Sequence, residues 1–201
     1  YYDKGGEVYI EASRGCAYCS CSICECKDFL GSIYTELKWR DRPIDSIVNE
    51  LKYLSSIGIN DVTFSDEDFI GNDHFGLSRI IKLANSIIAK NINIEYRINA
   101  RVKSIFSGTD TEDLRAKKIQ AFASLKDSGL SKIFLGFESG SPTQLKRYNK
   151  GYSLDEFIQA IGILKDIGIQ YELGYISLDP LMSLEELEES LNFIKEHQCI
   201  P

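Results

Sequence analysis

The sequence predicts an α/β protein whose strands pair in parallel. Three observations carry that expectation. Short β-type runs alternate with helical periods along the chain, glycines such as Gly58 and Gly129 close the helical periods, and no low-complexity linker interrupts the series. Strands separated by helices pair through right-handed crossovers, which lay them side by side in parallel.

The elements follow in order. Glu7–Ala12 alternates apolar and polar residues and predicts a strand, followed by a cysteine-rich loop. Pro43 opens a helix whose apolar positions Ile44, Ile47, Val48, Leu51 and Leu54 keep helical spacing. Val62–Phe64 is the second strand and runs into the acidic stretch Ser65–Asp68. A helix from about Gly76 to Lys90 precedes a strand over Ile92–Ile98, and Leu114–Ser128 is the next helix. Lys132–Phe137 and Tyr171–Ile176 are strands, each followed by a helix, over Leu154–Ile167 and Ser183–Glu196. Ser183 with Glu186 three residues on is a capping box. Five strand–helix units fit an open doubly wound sheet or part of a (β/α) barrel, in one domain over residues 1–201.

Composition narrows the function classes. Of 201 residues, 43% are hydrophobic and 26% charged, an ordinary balance for a soluble globule. No apolar run is long enough to span a bilayer, and no charged-then-apolar leader opens the chain, so a cytoplasmic protein is expected. The first residue is Tyr1, which points to a piece of a longer protein. Lys and Arg number 23 against 30 Asp and Glu, a net charge of −7 that argues against direct nucleic-acid binding.

Chemistry in parallel α/β folds gathers at the carboxyl ends of the strands. The cysteine loop, Asp66–Asp68, Arg101 and Glu138–Ser139 each follow a predicted strand, so topology sends them to one face. Cys16, Cys19, Cys21, Cys24 and Cys26 fall within eleven residues, whereas a disulfide framework spreads its cysteines to close useful loops. Crowded thiols read as metal ligands. A short loop of soft sulfur ligands suits an iron–sulfur cluster; a zinc knot and a metal-free reactive dithiol are the alternatives. Zinc usually draws on two separated ligand pairs, and His74, His197 and Cys199 are isolated.

Glu11–Cys16 followed by Cys21-Ser22-Ile23-Cys24 resembles the signature loop of radical S-adenosylmethionine (SAM) enzymes, closest to the branch of cobalamin-dependent enzymes and methylthiotransferases. Lys38–Pro43, Phe64–Phe69, Gly136–Ser141 and Leu145–Gly151 are similar to that branch's later blocks, in the expected order. The cysteine spacing departs from the family's usual three and then two intervening residues. Cys16, Cys21 and Cys24 are separated by four and then two, while Cys16, Cys19 and Cys24 are separated by two and then four. The first trio keeps the family's last pair, so Cys21 is preferred and Cys19 is the alternate; Cys26 and Cys199 are expected bystanders.

The resemblance implies a partial (β/α) barrel with five of six family units present. It implies a [4Fe–4S] cluster on three thiolates, SAM on the open iron, and reductive cleavage of SAM to methionine and a 5′-deoxyadenosyl radical that abstracts hydrogen from an unknown substrate. A one-electron reductant such as flavodoxin or ferredoxin is the implied partner. Cobalamin is admitted through a region outside these residues. Ile23 is expected near the adenine. Asp66 and Glu67 are candidates for the SAM ammonium, Glu138 and Ser139 for the methionyl or ribose part, and Arg101 or Lys150 for the carboxylate. A solvated acidic turn and surface salt bridges are the plainer readings of these charges, although burying Glu138 without a partner would be costly. Tyr171 and Tyr175 are candidates for the adenine side, and Leu178-Asp179-Pro180 replaces the family's Gly-x-Pro turn. The competing functions are a methylthiotransferase and a non-catalytic iron–sulfur or zinc-binding module.

Overall fold

A computed structural model describes residues 7–24 and 39–198. Cys26, Lys38 and Cys199 lie outside the described residues. In chain order the elements are β1 (Tyr9–Ile10), β2 (Ser13–Gly15), β3 (Trp39–Asp41), α1 (Ile44–Ser56), β4 (Asp61–Phe64), α2 (Asp73–Ala89), β5 (Glu95–Ala100), α3 (Val102–Ile105), α4 (Glu112–Asp127), β6 (Leu130–Glu138), α5 (Pro142–Arg147), α6 (Leu154–Ile167), β7 (Gln170–Tyr175) and α7 (Leu184–His197).

Five strands form one sheet in the order β1–β4–β5–β6–β7, and every pairing is parallel. The order decides between the two expected architectures. A doubly wound sheet reverses direction at a switch point, whereas this one adds each new strand to the same edge, as part of a barrel does. With right-handed crossovers, that winding puts the helices on one face. Burial along β6 shows the consequence: Ile133, Leu135 and Phe137 are wholly buried, while Phe134 between them is 45% exposed. Residues in a strand alternate faces, so Lys132, Phe134, Gly136 and Glu138 share the face turned away from the helical layer.

The core joins that buried strand face to the helices. Ile47, Val48 and Leu51 of α1, Ile80, Leu83 and Ala84 of α2, and Phe157 and Leu164 of α6 are fully buried with Phe64, Tyr96 and Phe137. Each such large apolar side chain contributes about 1.5–3 kcal/mol relative to exposure. Helix starts follow local chemistry: Asn72, Thr111, Ser141, Ser153 and Ser183 each accept a backbone N–H of the first turn, and the last two complete capping boxes with Glu156 and Glu186.

The third expected strand begins later and runs further, at Glu95–Ala100, because Ile92 and Ile94 are buried in the connection from α2. The antiparallel pair β2–β3, with Ser13 opposite Asp41 and Gly15 opposite Trp39, was not expected, nor were the short helices α3 and α5. Among the described residues no helix is long and apolar enough to cross a membrane.

Candidate active site

The loop carrying the cysteines leaves β2, and three consecutive acids after β4 grip the segment that leads into it. Asp66 accepts the Ala12 N–H at 3.0 Å and the Ser13 hydroxyl. Glu67 accepts the Gly15 N–H at 2.9 Å, and Asp68 accepts the Ala17 N–H at 3.2 Å. Burial raises the Asp66 carboxyl above its ordinary range, against the pull of the Ser13 and Ala12 hydrogen bonds and nearby Arg79. Cys16 Sγ lies 3.7 Å from Asp68 Oδ2. Burial, followed by the negative charge of Asp68, pushes the Cys16 thiol up to about 11.

The far arm of the loop rests on the end of α5. Tyr18 donates to the Asn149 carbonyl at 2.9 Å, and Asn149 Nδ2 donates to the Ser20 carbonyl at 2.7 Å. Ser22 donates its N–H to the Tyr148 carbonyl at 2.9 Å and its hydroxyl to the Arg147 carbonyl at 2.7 Å. Gly151, at φ +72°, allows this approach: a Cβ there would sit 2.6 Å from the Tyr18 hydroxyl oxygen. The sequence block Leu145–Gly151 is therefore the seat of the cysteine loop.

Between the two arms and the carboxyl ends of β5 and β6 lies a cavity of about 490 Å³. Cys16, Cys21, Ile23, Cys24, Glu67, Arg101, Glu138 and Lys150 border it. Cys19, with φ +43°, is not among the lining residues. The described cysteines are all free thiols. Burial raises the Cys21 thiol, opposed by the positive charge of Lys150.

Glu138 ends β6 in a left-handed conformation, φ +68°, beside a register shift against β7 between Gly136 and Glu138. Such a shift re-aims side chains, and Glu138 pairs with Lys150 at 3.0 Å above Gly136. A Cβ at Gly136 would crowd both partners, at 3.1 Å from Glu138 Oε1 and 3.2 Å from Lys150 Nζ.

Four residues expected to contact the cofactor do not border the cavity. Asp66 is 1% exposed and turned toward β2, with both carboxylate oxygens engaged there. Ser139 is fully buried; its hydroxyl donates to Gln144 Oε1 and accepts the Ser141 N–H, tying down the start of α5. Tyr171 and Tyr175 do not border the cavity: Lys165 sits over the Tyr171 ring, and Tyr175 stacks against Phe137. Asp179 is drawn to α5 by Gln144, Arg147 and Tyr148.

Other lining residues were not singled out from the sequence: Tyr18, Asn99, Lys103, Phe134, Tyr152 and Ile176. Phe134 carried a signal, since alternation with buried Ile133 and Leu135 puts it on the opposite face. Asn99 and Tyr152 carried none, because an inward polar side chain and a loop tyrosine look like many others.

The sequence profile of the radical SAM superfamily matches residues 10–194. The chain belongs to the radical SAM superfamily. It is 29% identical over 203 residues to the 4′-phospho-dehydrooxetanocin synthase of Priestia megaterium, covering 97% of this chain and 26% of that protein. The ribosomal protein uS12 methylthiotransferase RimO of Sulfurihydrogenibium sp. is 24% identical over 95% of this chain and 42% of its own length. The solved structure of the cobalamin-dependent SAM radical enzyme OxsB, with aqua-cobalamin and SAM bound, superposes with a TM-score of 0.84 at 27% identity. That match covers 96% of this chain and 27% of OxsB. The relatives lie in the cobalamin-dependent and methylthiotransferase branch, and the chain spans about a quarter to two-fifths of their length.

Radical SAM membership implies a [4Fe–4S] cluster and SAM, and the donor set fits them. Among the described residues, no three His, Cys, Asp or Glu side chains converge as one metal ion would require. Three thiols instead border one cavity from two arms of a loop, as ligands to three different irons would. Carboxylate, guanidinium and ammonium groups lining the same cavity match a zwitterionic, polar cofactor.

Proposed function

We propose that residues 1–201 form the catalytic core of a radical SAM enzyme, with Cys16, Cys21 and Cys24 as cluster ligands and SAM in the adjoining cavity. The observation that carries this reading is that those three thiols line one cavity together with Arg101, Glu138 and Lys150. When bound, the cluster and SAM supply one-electron cleavage of the sulfonium and a 5′-deoxyadenosyl radical for hydrogen abstraction.

The chain's own groups bind and orient. Arg101 presents a cation for the SAM carboxylate. Glu138, held by Lys150, presents an acceptor for the ammonium or ribose hydroxyls, and Glu67 offers a second carboxylate near the cluster loop. Ile23, 42% exposed at the cavity, offers apolar surface for the adenine. Asp66 and Ser139 serve this site through the scaffold. The electron comes from a small one-electron carrier of the flavodoxin or ferredoxin kind, and oxygen-labile iron chemistry fits a reducing compartment.

Cobalamin belongs to the proposal through OxsB, whose structure holds it. The corresponding contacts would come from parts of a longer protein beyond the matched quarter.

The test is anaerobic reconstitution with iron and sulfide, reduction with dithionite, and addition of SAM. About four irons per chain and formation of 5′-deoxyadenosine support the proposal. Stoichiometric zinc, no iron and intact SAM would sink it and favour a metal-binding module.

A further inference from the structure

The three acids after β4 are unequal. The Asp66 and Glu67 side chains hold backbone amides before the first cysteine; the Asp68 carboxylate reaches past that cysteine and joins the loop to Arg101, the residue that follows β5. Its carboxylate is fully buried. Oδ1 accepts the Gly71 N–H at 3.2 Å. Oδ2 receives the Ala17 N–H at 3.2 Å and Arg101 Nε at 2.8 Å, and lies 3.7 Å from Cys16 Sγ. Arg101 Nη2 donates to the Gly71 carbonyl at 2.9 Å, so Asp68, Gly71 and Arg101 close a ring. The Asp68 carbonyl is fixed as well, accepting from Trp39 Nε1 at 2.7 Å and from the Ser13 hydroxyl at 3.2 Å.

A buried carboxylate persists only when charge and hydrogen bonds compensate it, and breaking one partner of such a pair is costly. The geometry around Asp68 is thus sharply specified, and it specifies two cavity-lining groups at once. We propose that Asp68 is a positioning residue that locks the Cys16 sulfur and the Arg101 guanidinium to one another. One buried carboxylate thereby sets both a cluster ligand and the cation that faces SAM. This rests on the radical SAM reading above.

Two consequences separate positioning from mere support of the fold. A negative charge beside a ligand sulfur makes the bound cluster harder to reduce, and the Arg101 charge offsets it. Removing either charge therefore moves the midpoint potential, in opposite directions. Releasing Arg101 also weakens SAM, because a charge-assisted contact loses its fixed direction.

The experiment uses the whole chain, anaerobically reconstituted, as wild type, Asp68→Asn, Arg101→Gln and the double variant. Redox titration followed by electron paramagnetic resonance reads the potential, and equilibrium dialysis reads SAM affinity. Asp68→Asn keeps an acceptor and is expected to retain iron, raise the midpoint and weaken SAM about tenfold. Arg101→Gln is expected to lower the midpoint and weaken SAM similarly, and the double variant to weaken SAM no further. Unchanged potential and affinity in Asp68→Asn, or additive losses in the double variant, overturn the proposal. If Asp68→Asn gives no cooperative melt, Arg101→Gln decides by itself: a lowered midpoint supports the proposal and an unchanged one overturns it. A wild-type chain that takes up no cluster would instead overturn the radical SAM reading from which this one starts.

Discussion

The two arms of the cysteine loop are held by different means. The Cys16 arm is gripped from below by the buried carboxylates of Asp66 and Asp68 and by the more exposed Glu67, on a two-stranded ribbon pinned to Trp39 and Asp41. The Cys21–Cys24 arm leans on carbonyls of Arg147, Tyr148 and Asn149 at the surface, and Cys24 is exposed. Hydrogen bonds in contact with water exchange cheaply for water, whereas buried charged ones do not. Under the proposed ligand set, Cys16 is therefore pre-placed, and Cys21 and Cys24 can adjust as a cluster assembles. For the proposed trio Cys16, Cys21 and Cys24, the extra residue of the four-and-two spacing falls on the adaptable side.

The contrast can be broken at several points. Cys16→Ala and Cys24→Ala remove proposed ligands from the rigid and the adaptable arm respectively. Both are expected to lower 5′-deoxyadenosine formation by more than about 100-fold, since loss even of an outer-shell partner costs up to that much. The rate in reconstituted enzyme checks this.

Asp66→Ala strikes the rigid arm through the fold. It leaves the Ala12 N–H as a buried donor without its acceptor and the Ser13 hydroxyl with the Asp68 carbonyl in place of a carboxylate, at a cost of about 1–3 kcal/mol. Urea unfolding of the apo chain should show a lower midpoint at unchanged slope.

Tyr18→Phe and Ser22→Ala strike the adaptable arm and should cost about 0.5–1.5 kcal/mol or less. Hydrogen exchange should quicken over residues 18–24 and stay unchanged over 12–17. Equal quickening in both would erase the distinction between the arms.

The smallest effect lies outside both. Burial raises the Glu156 carboxyl, but the Gly108 and Ser153 N–H groups, Lys103 and the Ser107 hydroxyl outweigh it and hold the pKa below the ordinary carboxylate value. A lowered folded-state pKa contributes stability that is present above the unfolded pKa and lost as pH falls through the folded one. Glu156→Gln should therefore flatten the acid limb of the stability curve, measured by melting, and leave iron uptake unchanged.

Much of the site was legible because parallel topology sends every strand's carboxyl end to one face. Cys16, Glu67, Arg101 and Glu138 reached the cavity for that reason, and Lys150 reached it because the segment after β6 folds back under the loop. Asp66 and Ser139 were drawn to the same face by the same rule, yet their side chains turn into the scaffold. Periodicity fixes direction inside a strand and ceases to do so one residue beyond it. That is also why Asp68, two places after Asp66, gave no sign of its contact with Cys16. The β2–β3 ribbon stayed hidden because its partners are far apart in sequence and too short to alternate.

The central claim is that Cys16, Cys21 and Cys24 act as one set around the cavity while Cys19 stands outside it. Iron content and the electron paramagnetic resonance signal of Cys19→Ala and Cys21→Ala, reconstituted side by side, test it most directly. A full cluster in Cys19→Ala and none of wild-type form in Cys21→Ala are the expected results. A cluster kept in Cys21→Ala and lost in Cys19→Ala would contradict it.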